Sequence, residues 1–168
     1  PDLDQEKDLP DVRTGARVVS ISHPRREVVL ESGVHVAYEK LVIATGARSE
    51  SLGITGDRQP HVFHLQTLDD AERMRAFIRE HKPRRAVVVG AGYIGVEAAD
   101  ALRRNGLRVT ILERSPHALL RDDEAFSAEV RKQLERHGVE LRTGVSVSVI
   151  EPDQVAGVPC ELVVISAG

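Results

Sequence analysis

The spacing of hydrophobic residues changes along the chain, and each change predicts a different kind of element. Over the first third, ARVVSIS alternates around Val18 and Ile21, and REVVLES and VHVAYEK follow across the short polar link Glu31, Ser32, Gly33. Alternation with a period of two buries one face of a strand, so these segments read as a small antiparallel β-meander with a hairpin. KLVIATGAR breaks the alternation: Leu41, Val42 and Ile43 are consecutive, which suits a strand buried on both faces. Gly46, Gly53, Gly56 and Pro60 then mark a loop-rich crossing.

From Thr67 the period becomes helical, with Leu68, Ala71, Met74, Phe77 and Ile78 on one stripe and Thr67 with Asp70 forming a capping box. This helix should end near His81, before Pro83. Next come AVVVG as a buried strand, GYIGVEAADALRRNG as a helix stopped by Gly106, and RVTILE as a second strand. DDEAFSAEVRKQLERHG carries Phe126, Val130 and Leu134 at four-residue intervals, with acid at its start and Gly138 at its end, and predicts a further helix. VELRTG, SVSVI and ELVVIS read as strands. Alternation of strands and helices from residue 84 onward predicts an α/β, Rossmann-like, doubly wound parallel sheet flanked by the meander.

Composition narrows the class. Of 168 residues, 41% are hydrophobic and 29% charged, which supports a folded core and excludes a disordered chain. The formal charge of −3 argues against a nucleic-acid partner, and no apolar run approaches the roughly 18 residues of a membrane span. Cys160 is the only cysteine, so neither an intramolecular disulfide nor a cysteine zinc site is expected, and a reducing cytoplasm fits. His61 and His64 are the one close histidine pair, but three residues apart on extended backbone they face opposite ways, and no metal site is expected. The chain starts at Pro1 and ends just after an apolar run, so we read it as a fragment.

The stretch VVVGAGYIGVEAADAL carries the chemistry. Gly90, Gly92 and Gly95 spell Gly-x-Gly-x-x-Gly between a strand and a helix. In that context the first glycine permits the turn, the second admits a pyrophosphate and the third lets helix pack on strand. The phosphates then meet the helix's positive end. Glu113 ends the second strand eighteen residues after Gly95, near the spacing of an acid that binds the adenine ribose. A carboxylate there favours NAD(H) over NADP(H); the adjacent Arg114 partly offsets the repulsion of a 2′-phosphate.

YEKLVIATGAR, RRAVVVGAGYIGVEAADALRRNGLRVTILER, HGVELRTG and VPCELVVISAG, in that order, resemble the pyridine nucleotide-disulfide oxidoreductase flavoproteins. The resemblance is nearest to NADH oxidases, coenzyme A disulfide reductases and NADH-dependent ferredoxin reductases. It implies residues 1–66 as part of an FAD domain and 67–168 as an NAD(H)-binding domain whose last strand can return to the FAD domain. Ala44, Thr45 and Gly46 match the family's Ala-Thr-Gly motif on the FAD side. Gly90, Gly92, Tyr93, Ile94, Gly95, Glu97, Glu113 and Arg114 fall at the NAD site, with Tyr93 and Glu97 near nicotinamide. It further implies hydride passing from NADH to FAD and on to oxygen, a disulfide or a ferredoxin, and a homodimer in the full-length protein.

The chain departs from the family pattern as well. The amino-terminal FAD fingerprint, the redox cysteine after it, the carboxyl-terminal FAD motif and the dimerisation domain are absent, so the fragment alone is expected to be inactive, with no catalytic residue of its own. The segment between Ile150 and Leu162 is shorter than the family's three-stranded excursion, and Cys160 reads as a small buried residue. The alternative from a different class is a non-catalytic NAD(H)-binding or sensing module.

Overall fold

A computed structural model describes residues 11–46, 53–119 and 123–167. The chain divides into two units, Pro1–Gly46 and Ala47–Gly168. In the first, β1 (Val18–Ser22), β2 (Glu27–Leu30) and β3 (His35–Ala37) form the expected antiparallel meander, in spatial order β1-β2-β3. The hairpin closes where Leu30 N–H donates to the Val34 carbonyl at 2.8 Å, with the polar link at its tip. The strand expected at 41–43 is not formed: residues 40–46 lie in no strand, and Val42 and Ile43 are 85% and 66% exposed. A strand buried on both faces needs pairing neighbours, and among the described residues nothing pairs with this run.

The second unit is built on β4 (Val62–His64), α1 (Leu68–His81), β5 (Arg85–Val89), α2 (Tyr93–Arg104), β6 (Arg108–Glu113), α3 (Glu124–Arg136), β7 (Val139–Thr143), the short pair β8 (Gln154–Val155) and β9 (Val158–Pro159), and β10 (Leu162–Ile165). Five strands make one parallel sheet in the order β4-β10-β5-β6-β7. The α/β, Rossmann-like class is as expected. β4 hydrogen-bonds to β10 and so lies in the larger sheet, within the second unit. β10 is an inner strand of that sheet, between β4 and β5.

Helix boundaries follow their caps. Thr67 accepts from Asp70 N–H while the Asp70 side chain accepts from Thr67 N–H, so two amides at the start of α1 are satisfied reciprocally. Asp123 caps α3 by accepting from Ala125 N–H at 2.7 Å. α3 departs from its expected stripe: Leu134 is buried and Val130 half-buried, but Phe126 is 49% exposed and Ser127 turns inward in its place. SVSVI forms no strand, only bridges from Val149 to Thr55 and from Ile150 to Val155.

Alternation along the sheet makes two cores. Ala86 and Val88 of β5, Val109 and Ile111 of β6, and Leu162 and Val164 of β10 face Met74, Ala98, Ala99, Leu102 and Leu134 from α1, α2 and α3. Val87, Val89, Leu112, Val163 and Ile165 face the other way, against Ile54, Ile150, Val155, Val158 and Cys160. Among the described residues, loops and the β8–β9 pair, not helices, therefore cover the second face. At the leading edge of the sheet Glu161 accepts from the Arg85 N–H at 2.7 Å and pairs with its guanidinium at 2.5 Å, fixing the start of β10 beside β5. Desolvation raises the Glu161 carboxyl, but the hydrogen bonds from Arg85 and the Arg84 N–H, with the Arg85 charge, together outweigh it and hold the group below its ordinary value.

Leu162 has no exposed surface and packs under the helices. Leu162→Ala should lower unfolding free energy by about 2–5 kcal/mol, read as a lower urea midpoint at unchanged m-value. Cys160 is buried as expected, and burial pushes its thiol up to about 11. It stays protonated at pH 8, so labelling by a water-soluble disulfide reagent should be slow in the native protein and fast in denaturant.

Candidate functional site

The glycines lie at the carboxyl end of β5, beside the ends of β6 and β10. Successive strands run from β5 to β6 and β7 on one side while β10 and β4 lie on the other, so β5 and β10 flank the point where the order reverses. Crevices in open α/β sheets form at such points.

The three glycines have different reasons to be glycine. Gly90 sits at φ +104, where a side chain is strained, and a Cβ on it would come within 2.9 Å of the Ala167 nitrogen. A Cβ on Gly95 would lie 2.1 Å from the Gly90 carbonyl oxygen and 2.6 Å from Ser166 Oγ, so this position lets α2 rest directly on the turn. Gly92 has neither reason. Its φ of −76 suits any residue, and a Cβ there would meet nothing within 4 Å. Its bareness serves nothing inside the described chain.

Gly92 is also the N-cap of α2. Thr67 and Asp123 cap the other two helices with side-chain oxygens, whereas α2 has no side-chain cap and no acid in its first turn.

Neighbouring strands hold the turn. Gly90 N–H donates to the Leu112 carbonyl at 2.8 Å, and Ser166 N–H to the Val89 carbonyl at 2.9 Å. Ser166 Oγ lies 3.1 Å from both the Val89 and Gly90 carbonyl oxygens. Glu113 accepts from Ala91 N–H through Oε2 and from Ser115 N–H through Oε1, each at 2.7 Å. Leu119 N–H donates to the Ala91 carbonyl at 3.0 Å from a φ of +51. That is an unfavourable conformation for a leucine, here tied to the turn.

Of the residues singled out from sequence, Gly90, Gly92, Gly95 and Glu113 come together at this turn. Tyr93, Ile94 and Glu97 lie on the first turns of α2 and are exposed, Tyr93 and Glu97 one turn apart on the same face. Arg114 is exposed just beyond β6. Ala44, Thr45 and Gly46 belong to the other unit and are exposed. Sequence reasoning missed Ser166, Ala167 and Leu119, which press on the turn from distant positions; the small residues after the last apolar run were the available signal. His61 is half-buried just before β4 with its Nε2 unpartnered, and burial lowers its pKa despite a backbone hydrogen bond at Glu151 that raises it. Among the described residues no group of three or more His, Cys, Asp or Glu could hold a metal, and no helix is long and apolar enough to cross a membrane.

A five-stranded parallel sheet with a glycine-rich strand-to-helix turn at its order reversal defines a Rossmann-like α/β unit. Residues 3–168 match the pyridine nucleotide-disulphide oxidoreductase family, and the chain belongs to it. It is similar to the ferredoxin–NAD(+) reductase component of the p-cumate 2,3-dioxygenase system of Pseudomonas putida, 33% identical over an alignment of 161 residues that covers 92% of this chain and 40% of that protein. Among solved structures it superposes on a ferredoxin reductase from Rhodopseudomonas palustris with a TM-score of 0.75 at 34% identity, covering 91% of this chain and 40% of the other. An NAD-dependent persulfide reductase from A. fulgidus gives a TM-score of 0.78 at 29% identity, covering 99% of this chain and 33% of the other. The chain thus spans well under half the length of these relatives.

The glycines should separate by substitution. Gly95→Ala forces a Cβ onto a backbone carbonyl and should lower stability by about 1–3 kcal/mol. Gly92→Ala, in open space at an ordinary φ, should stay within about 1 kcal/mol of the parent, since a poorer cap and a stiffer unfolded chain oppose each other. Paired chemical-denaturation curves check both.

Proposed function

We propose that this chain is the NAD(H)-binding part of an FAD-dependent pyridine nucleotide oxidoreductase, in which NADH delivers hydride to flavin and the electrons pass to an acceptor. The observation that carries the reading is Gly92. It is bare at the positive end of α2, where among the described residues a Cβ would meet nothing within 4 Å, which is what close approach of a pyrophosphate requires. Family membership and the ferredoxin–NAD(+) and NAD-dependent reductases among the similar proteins support the same reading.

In this reading the backbone N–H groups at the start of α2 bind the pyrophosphate. Glu113 accepts from the adenine ribose hydroxyls with lone pairs its backbone contacts leave open, which favours NADH over NADPH, with Arg114 beside it. Tyr93 and Glu97, exposed on one face of α2, line the nicotinamide side. The protein's work here is orientation, holding the nicotinamide so that hydride leaves toward the flavin. Flavin, when bound, supplies the two-electron acceptor chemistry. Ala44, Thr45 and Gly46 are exposed, lie in no strand and do not by themselves form a flavin cradle. In this reading FAD is held mainly by parts of the full-length protein outside these residues, as are the dimer contacts; the acceptor is oxygen, a disulfide or a ferredoxin, and the setting is cytoplasmic.

Calorimetric titration with NADH and NADPH tests the reading. NADH should bind more tightly than NADPH, and a folded Gly92→Val variant should lose measurable NADH binding. Unchanged NADH affinity in that variant would remove the turn as the site.

A further inference from the structure

The hydrogen bonding around the glycine turn converges on one side chain outside it. Glu113 Oε2 takes the N–H of Ala91, the 1% exposed residue between the first two glycines, and Oε1 takes the N–H of Ser115. The Ala91 carbonyl is held in turn by Leu119 N–H, so both polar groups of that peptide residue are tied outside the turn. The far side is anchored too. Gly144 N–H donates to the Ser115 carbonyl at 3.1 Å and Val145 N–H to the Glu113 carbonyl at 2.9 Å, from just beyond β7. The carboxylate thereby joins the turn to the segment that follows β6, and the backbone carbonyls of Glu113 and Ser115 join that segment to the end of β7.

Two backbone N–H groups, one at each oxygen, make this a position for a side chain with two acceptors, and a carboxylate supplies them. It accepts at both oxygens and donates at neither, with about two lone-pair sites on each, so each oxygen can hold one backbone N–H and keep a site open. A glutamine has nearly the same shape, but one of its two ends is itself a donor. Facing two N–H groups it satisfies one and leaves the other opposed by its own NH₂.

We propose that Glu113 is a positioning residue of the dinucleotide site, holding the backbone of the glycine turn in the shape that receives a pyrophosphate, separately from any contact with ribose. This rests on the NAD(H) reading above and deepens it. A ligand with a pyrophosphate but no ribose hydroxyls should still sense Glu113. A group that pushes the carboxylate aside, as a 2′-phosphate would, also strips Ala91 N–H of its acceptor.

The test compares ADP with 2′,3′-dideoxy-ADP on the full chain and its Glu113→Gln variant, alongside amide hydrogen exchange at Ala91 and Ser115 without ligand. The variant should bind dideoxy-ADP about tenfold more weakly than the parent does, and at least one of the two amides should exchange about tenfold faster, as loss of one charge-assisted hydrogen bond predicts. Should the glutamine variant not fold, Glu113→Asp, which keeps both acceptors one methylene shorter, carries the same comparison with a smaller expected loss. Weaker ADP binding with unchanged dideoxy-ADP affinity would make Glu113 a ribose ligand only and overturn the proposal, as would unchanged exchange at both amides. Failure of the parent to bind ADP at all would overturn the nucleotide reading itself, a result that involves no substitution.

Discussion

β10 is the strand on which the second unit depends. Every residue from Leu162 to Ile165 is buried, and each edge of the strand hydrogen-bonds a partner, β4 on one side and β5 on the other. Without it those neighbours would face each other across a gap with buried, unpaired backbone groups, each costing about 1–3 kcal/mol. Its side chains also bridge the two cores, Leu162 and Val164 under the helices and Val163 and Ile165 under the loop layer. The last segment of the chain is thus needed to join β4 and α1 to everything that follows.

The same strand shapes the candidate site. Because β10 runs parallel to β5 in register, its end delivers Ser166 and Ala167 to the carboxyl end of β5, where they press against Gly90 and Gly95. β6 delivers Glu113 and Leu112 from the other side. The turn is therefore clamped between two strands, and its open direction is the one Gly92 leaves bare. A binding surface made of backbone needs this kind of support, since a loose loop would lose in ordering entropy what its N–H groups gain by binding.

Where sequence reading and structure part, the cause is the same: pattern reports burial preference, and burial needs a partner. Leu41, Val42 and Ile43 are as apolar as Val87, Val88 and Val89, yet the second run is a buried strand and the first is exposed coil. β5 has β6 and β10 to pair with; residues 41–43 have no strand beside them among the described residues. SVSVI alternates like a strand but meets only single bridges, and Phe126 keeps helical spacing on a face the core does not reach.

By itself the sequence determined what local chemistry decides. Thr67 and Asp70 set where a helix begins, alternation set the meander, and the spacing of Gly90, Gly92 and Gly95 between strand and helix marked the turn. Short-range hydrogen bonding and side-chain periodicity act within a few residues, so they can be read along the chain. Tertiary structure decided the rest. It placed the last strand between two earlier ones, put helices on one face and loops on the other, and gave two of the three glycines internal neighbours while leaving the third bare. It also turned Glu113 onto Ala91, twenty-two residues away in sequence, because strand register, not spacing, sets which side chain reaches a given backbone amide.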